Sequence, residues 1–125
     1  MKPAAQSTFS GPEIEDRLTR TLPRWRFEDG HLVRTYRTEN WKGTLLVVNT
    51  VGHLAEAAWH HPDLAVSYAS VTVKLQSHDA RGITERDFEL AAQIEAVVHW
   101  QPRRSAGALE GTPDDARYRY ILYDD

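Results

Sequence analysis

Apolar and polar positions change rhythm several times along this chain, and each rhythm predicts an element. From Pro12 the run Glu13-Ile14-Glu15-Asp16-Arg17-Leu18 reads as a short helix with proline in its first turn and acids near its start, ending before Pro23. Trp25-Arg26-Phe27-Glu28 and Leu32 to Thr38 then alternate with period two around Asp29-Gly30, a pair that accepts positive φ, so a β-hairpin is expected. Asn40 is placed to cap a long helix reaching about Trp59. In it Trp41, Leu45, Val48, Gly52, Ala55 and Trp59 recur at spacings of four and three and define the expected buried face. His60-His61-Pro62-Asp63 breaks that helix. Leu64 to Tyr68 and Val71 to Leu75 read as two more strands, the second alternating Val71, Val73 and Leu75 with Thr72, Lys74 and Gln76. After a loop ending at Gly82, a third helix runs from Thr84 to about His99 and buries Leu90, Ala91, Ile94, Val97 and Val98.

The order α-β-β-α-β-β-α implies an α+β fold, a four-stranded, mainly antiparallel sheet with three helices on one face. Residues 12–100 form that domain. Met1 to Gly11, rich in Ser, Pro, Ala and Gly, is expected to be flexible. Residues 101–125 form a C-terminal extension. Gln101 to Asp115 is loop by its Pro, Gly, Ser and charge, and Arg117 to Tyr123 is an extra strand with Tyr118, Tyr120 and Leu122 on one side.

Composition narrows the classes of function. At 125 residues, with 41% apolar and 26% charged residues, the chain is one ordinary globular domain with a core that needs no staple. The absence of cysteine removes disulfides, thiolate catalysis and cysteine-ligated zinc. A net charge of −3 with interspersed signs offers no basic stripe for nucleic acid. Leu45-Leu46-Val47-Val48, the longest aliphatic run, is far too short to span a membrane, and Met1 to Gly11 lacks the apolar core of a signal peptide. A soluble cytoplasmic protein is expected.

The candidate chemistry lies in the histidines. Of six, His31, His53 and His99 read as surface residues, whereas His60, His61 and His78 sit at structural breaks that one rim of the sheet could bring together. Glu56 precedes His60 by one helical turn and could orient or charge it. Imidazoles, with ordinary pKa values near ~6.5, can donate and accept protons at neutral pH. Clustered titratable groups are typical of functional pockets. Glu56, His60 and His78 could be imagined around zinc, but adjacent histidines rarely share one ion and no closed four-ligand set is visible, so no metal and no cofactor are expected. Asp87 stands three residues after Thr84, the spacing of a helix cap, so it serves either the cap or the pocket. Trp59 ends its stripe and reads as core rather than as a ring stacked on a ligand.

Glu56-x3-His60-His61-Pro62, followed by five residues to Tyr68, nine to His78 and eight to Asp87, places seven positions at fixed intervals over 32 residues. This pattern resembles the signature of the pterin-4a-carbinolamine dehydratase family. Leu32-x-Arg34-x-Tyr36 is similar to the family's second strand, Gly82-Ile83-Thr84-Glu85-Arg86-Asp87 to its entry into the last helix, and the likeness runs from Pro12 to Val98. The resemblance implies removal of water from a 4a-hydroxytetrahydropterin without metal or redox cofactor. His60 and His78 would form the acid–base pair, His61 would position the pterin, Glu56 would tune His60, and Asp87 would support the pocket. It also implies a homodimer or a dimer of dimers joined through sheet edges. Three positions depart from the family pattern: Thr38 stands in place of Phe, Ala69 in place of Asn and Ser77 in place of Thr.

The extended tail resembles the dehydratase-like proteins of carboxysome-forming bacteria that are taken as Rubisco assembly factors. That likeness implies a rival role, with Rubisco as partner, an association with carboxysomes, and Tyr118, Tyr120 and Tyr123 as contact residues. The alternative for the tail is an extra edge strand folded back on the domain.

Overall fold

The computed structural model describes residues 7–123. Ser10 starts the first helix with a reciprocal cap: its hydroxyl accepts the Glu13 N–H at 3.3 Å while the Glu13 carboxylate accepts the Ser10 N–H at 2.8 Å. The elements then follow as α1 (Gly11–Thr21), β1 (Arg26–Glu28), β2 (His31–Thr38), α2 (Trp41–Ala58), β3 (Asp63–Ser67), β4 (Ser70–Leu75) and α3 (Glu85–Val98), with a short 3-10 turn at Pro102–Arg104 and β5 (Ile121–Leu122). Asp29 and Gly30 both take positive φ, 49° and 79°, and close the β1–β2 hairpin as expected. Asn40 caps α2 by accepting the Gly43 N–H at 2.9 Å.

The sheet is antiparallel throughout in the order β1-β2-β4-β3, and β5 joins β2 beyond the end of β1. Leu32 and Tyr36 of β2 and Val71, Val73 and Leu75 of β4 point to one face. Ile14 and Leu18 of α1, Val47 and Val51 of α2, and Phe88, Ile94 and Val98 of α3 cover them in a single core. Each such side chain, fully buried, stabilises the fold by about 1.5–3 kcal/mol.

Three expectations are corrected. The buried face of α2 is Thr44, Val47, Val51 and Ala55, whereas Trp41, Leu45 and Trp59 are exposed. Four consecutive apolar residues fit the helical period in either of two phases, and the phase is decided by polar Thr44. Its hydroxyl sits 2.6 Å from that of Thr38 and donates to the Tyr68 carbonyl at 2.8 Å. On α3, Val97 is exposed while Phe88 joins the core. The segment expected to be flexible up to Gly11 includes Phe9. Its N–H donates to the Ile83 carbonyl at 2.9 Å and its ring meets Phe88 edge-on at 5.3 Å. The part of that expectation falling on residues 1–6 lies outside the described residues.

The tail does fold back as an edge strand, but a shorter one than Arg117 to Tyr123. Only Ile121 and Leu122 pair, opposite Thr38 and Arg37, and the Glu39 N–H donates to the Tyr120 carbonyl at 3.1 Å. This passage crosses α2 at Gly43, where an added Cβ would run into that carbonyl. Gly43→Ala, stabilising in an exposed helix, is therefore expected to destabilise this protein by about 1–3 kcal/mol by overpacking. Thermal unfolding together with hydrogen exchange at Ile121 and Leu122 checks this, with faster exchange there the expected outcome.

Candidate active site

The site begins where α2 stops. Trp59 adopts the left-handed conformation (φ 53°, ψ 47°), its N–H reaches the Glu56 carbonyl at 3.2 Å, and the His60 N–H reaches the Ala55 carbonyl at 3.1 Å. This doubled closure is a Schellman motif, and Pro62 prevents the helix from resuming. The turn sends two adjacent imidazoles in different directions. His60 points inward, 12% exposed, with Nε2 at 2.6 Å from Asp87 Oδ1. His61 stays exposed, and its Nε2 lies 2.7 Å from Glu56 Oε1. Glu56 therefore serves His61 rather than His60, because the left-handed turn swings His60 away from the helix and into reach of α3.

Asp87 closes the helix cap and also pairs with His60. Its side chain is fully buried. Oδ2 accepts the Thr84 N–H at 2.9 Å, closing the capping box of α3, and the Ser77 hydroxyl at 2.8 Å, which leaves Oδ1 for His60. A buried carboxylate without donors would be strongly disfavoured. Here three donors and the positive end of the α3 dipole compensate it. Ser77 also lies 2.8 Å from the Thr84 hydroxyl.

Ser77 lies two residues past the end of β4, bridged to Gly82, and His78 follows it directly. A tight loop, closed by the Ser77 N–H to the Gly82 carbonyl at 2.9 Å, holds the exposed His78, whose carbonyl accepts the Arg81 N–H at 3.2 Å. His60 thus reaches Asp87 directly, and His78 is tied to the same carboxylate through its neighbour Ser77. Because carboxylate oxygens only accept, Nε2 of His60 and of His61 carries the hydrogen, which leaves each Nδ1 for other chemistry. Among the described residues no group of three or more His, Asp or Glu side chains is placed to hold a metal ion, and no helix is long and apolar enough to cross a membrane.

The family model for pterin 4 alpha carbinolamine dehydratase matches residues 7–97. The chain belongs to this family. A relative from Aquifex aeolicus, whose name assigns it to the same dehydratases, is 49% identical over 90 residues, covering 72% of this chain and 90% of its own. A relative from Chloroflexus aurantiacus with the same assignment is 43% identical, covering 72% and 96%. The crystal structure of a transcriptional coactivator/pterin dehydratase from Brucella melitensis superposes with a TM-score of 0.68 at 24% identity, covering 74% of this chain and 99% of that one, and it shares the fold.

Relative to that family match, the residues after 97 are additional, and they meet the domain at a second polar cluster. Glu95 Oε1 accepts Trp25 Nε1 at 2.9 Å, Arg34 Nε at 2.9 Å and the Tyr36 hydroxyl at 2.8 Å. His99, expected on the surface, is only 10% exposed, with Nε2 at 3.2 Å from Arg34 Nη2 and Nδ1 at 3.3 Å from Glu95 Oε2. Its ring meets Tyr36 and Tyr123 edge-on at 5.6 and 5.1 Å. The signal for this cluster was present in Arg34 and Tyr36, which share the core-facing side of β2 with Leu32, and in Glu95 and His99 one turn apart at the end of α3.

Of the three tail tyrosines, Tyr118 is half exposed, Tyr123 packs on His99, and Tyr120 and Tyr123 line a cleft of about 930 Å³ with Trp100, Arg103 and Leu109. None of Glu56, His60, His61, His78 and Asp87 lines that cleft. Burial, with Tyr120 nearby, pushes the Tyr123 phenol up.

Burial alone would raise the Glu95 carboxyl, but the hydrogen bonds from Arg34 and Tyr36 and the charges of Arg34 and His99 outweigh it and hold Glu95 below its ordinary value of 4.5. A depressed carboxylate contributes stability that is complete above its unfolded pKa and is lost as pH falls through the folded one. The stability difference between the wild type and Glu95→Gln is therefore expected to be full at neutral pH and to shrink as pH falls below about 4.5. Denaturant titrations of both proteins across pH 3–7 check it; a difference independent of pH would contradict it.

Proposed function

We propose that this protein dehydrates a 4a-hydroxytetrahydropterin to the quinonoid dihydropterin by imidazole acid–base catalysis. The observation that carries the reading is the His60–Asp87 pair, an inward-facing imidazole whose Nε2 is fixed by a buried carboxylate at 2.6 Å. Such a pairing holds one tautomer and stabilises the imidazolium that forms when the other nitrogen takes a proton. His60 Nδ1 accordingly acts as the base at N5. His78 donates a proton to the 4a-oxygen, the C4a–O bond breaks, and the electron pair of the N5–H bond becomes the N5=C4a double bond. One proton is taken, one is given and water leaves, so the elimination is redox-neutral. His78, being exposed, regains its proton from solvent. His61, steadied by Glu56, positions the ring; that exposed pair contributes little to stability.

Turnover assays on purified protein test the assignment. His60→Ala and His78→Ala are each expected to lower kcat/KM by about 10²–10⁴ with circular dichroism unchanged, and His61→Ala is expected to act mainly on KM. Wild-type rates in either of the first two variants would contradict it.

The rival role at Rubisco draws on the tail, and Tyr120 and Tyr123 are engaged with the domain itself, so catalysis is the reading we keep. A homodimer, and a dimer of dimers built from it, is the assembly we propose. The outer edge of β3 carries no partner strand among the described residues and ends near the exposed Val66 and Tyr68. Light scattering is expected to give at least twice the chain mass of 14.3 kDa; a single-chain mass would contradict it.

A further inference from the structure

Trp59 occupies a conformation that most residues avoid and a position that buries little of it. In the closing turn of α2 the left-handed residue is ordinarily glycine, because a Cβ there crowds the backbone. A bulky side chain at positive φ is an outlier, and such outliers concentrate at functional sites. The usual compensation, packing the ring into the core, is absent, since Trp59 is 77% exposed. Its indole instead stands beside His61, with ring centroids 5.0 Å apart and planes at 82°, and it directly precedes His60. Among the described residues it is the most exposed of the large apolar side chains, and it stands beside the histidines that follow it.

We infer that Trp59 is a substrate-stacking residue, the flat apolar wall against which the pterin ring lies. The inference rests on the dehydratase reading and extends it to a residue outside the seven-position motif. A pterin is a planar bicyclic heterocycle with a π-face like that of a nucleobase, and indole is the best side-chain surface for such a face. The right-angled arrangement with His61 adds geometry to affinity. A ring laid parallel to the indole presents its edge, where its N–H and carbonyl groups lie, toward the imidazole. Trp59 thereby fixes the plane of the ring, and His61, held by Glu56, fixes its rotation within that plane. The chemistry at N5 and C4a remains with His60 and His78, so stacking is expected to appear in binding and not in the chemical step.

Trp59→Gly suits the left-handed backbone and removes the ring, so the variant tests stacking without threatening the fold. Its melting temperature is expected to equal or exceed that of the wild type. KM for the 4a-hydroxytetrahydropterin is expected to rise about tenfold, equivalent to about 1.4 kcal/mol, with kcat changed less than about twofold. Binding of 7,8-dihydropterin, followed by calorimetry, is expected to weaken by a similar factor. Trp59→Phe is expected to restore most of both. A wild type that turns over while Trp59→Gly keeps its KM and its dihydropterin affinity overturns the stacking role alone. A wild type that neither turns over nor binds dihydropterin overturns the dehydratase reading, and the stacking role with it.

Discussion

The carboxylate of Asp87 is the point on which the site depends. It is fully buried, and its two oxygens are shared among three segments: the bridge that follows β4 through Ser77, the start of α3 through Thr84, and, far off in sequence, the turn after α2 through His60. Each segment has its own local reason to end where it does. The segments of Ser77 and Thr84 also meet through their hydroxyls, and the shared carboxylate joins the turn after α2 to them. A single buried anion needs every donor it can find, and here the demand of one group fixes the position of the imidazole that matters most.

A second hub does comparable work for stability at a different part of the molecule. Glu95 collects Trp25, Arg34 and Tyr36 on one oxygen and approaches His99 with the other, joining the start of the hairpin, its second strand and the last helix. The tail is attached to this hub through Tyr123 on His99 and to α2 through the gap left by Gly43. Thr38 and Ser77, two of the three positions that depart from the family pattern, are both absorbed into hydrogen bonds, Thr38 with Thr44 and Ser77 with Thr84 and Asp87. The sheet face and the cap of α3 are thus adjusted to smaller polar side chains and are not left loosened.

Much of this was legible before any coordinates. Asp29-Gly30, Asn40, Thr84 and the alternation of Val71, Val73 and Leu75 are local signals whose physics acts within a few residues, and the corresponding elements end within a residue or two of where those signals placed them. What sequence reading missed was tertiary. The phase of α2 was ambiguous because Leu45-Leu46-Val47-Val48 satisfies two faces, and the choice is made by Thr44 meeting Thr38 and Tyr68 across space. Glu56 sits one turn from His60, which suggested a pair, but the left-handed Trp59 lies between them and redirects the imidazole. His99 looked like a surface residue because nothing within its own helix shows that Arg34 and Tyr123 cover it. Arg117 to Tyr123 looked like one long strand because period two is also what a chain shows when only two of its residues pair.

The most direct test is a crystal structure of this protein with dihydropterin bound. The account predicts the ring between His60 and His78, its N5–C4a edge within about 3 Å of a His60 nitrogen, with the His60–Asp87 contact intact. A pterin seated in the tail cleft beside Trp100, or a His60 turned away from both Asp87 and the ligand, would contradict it.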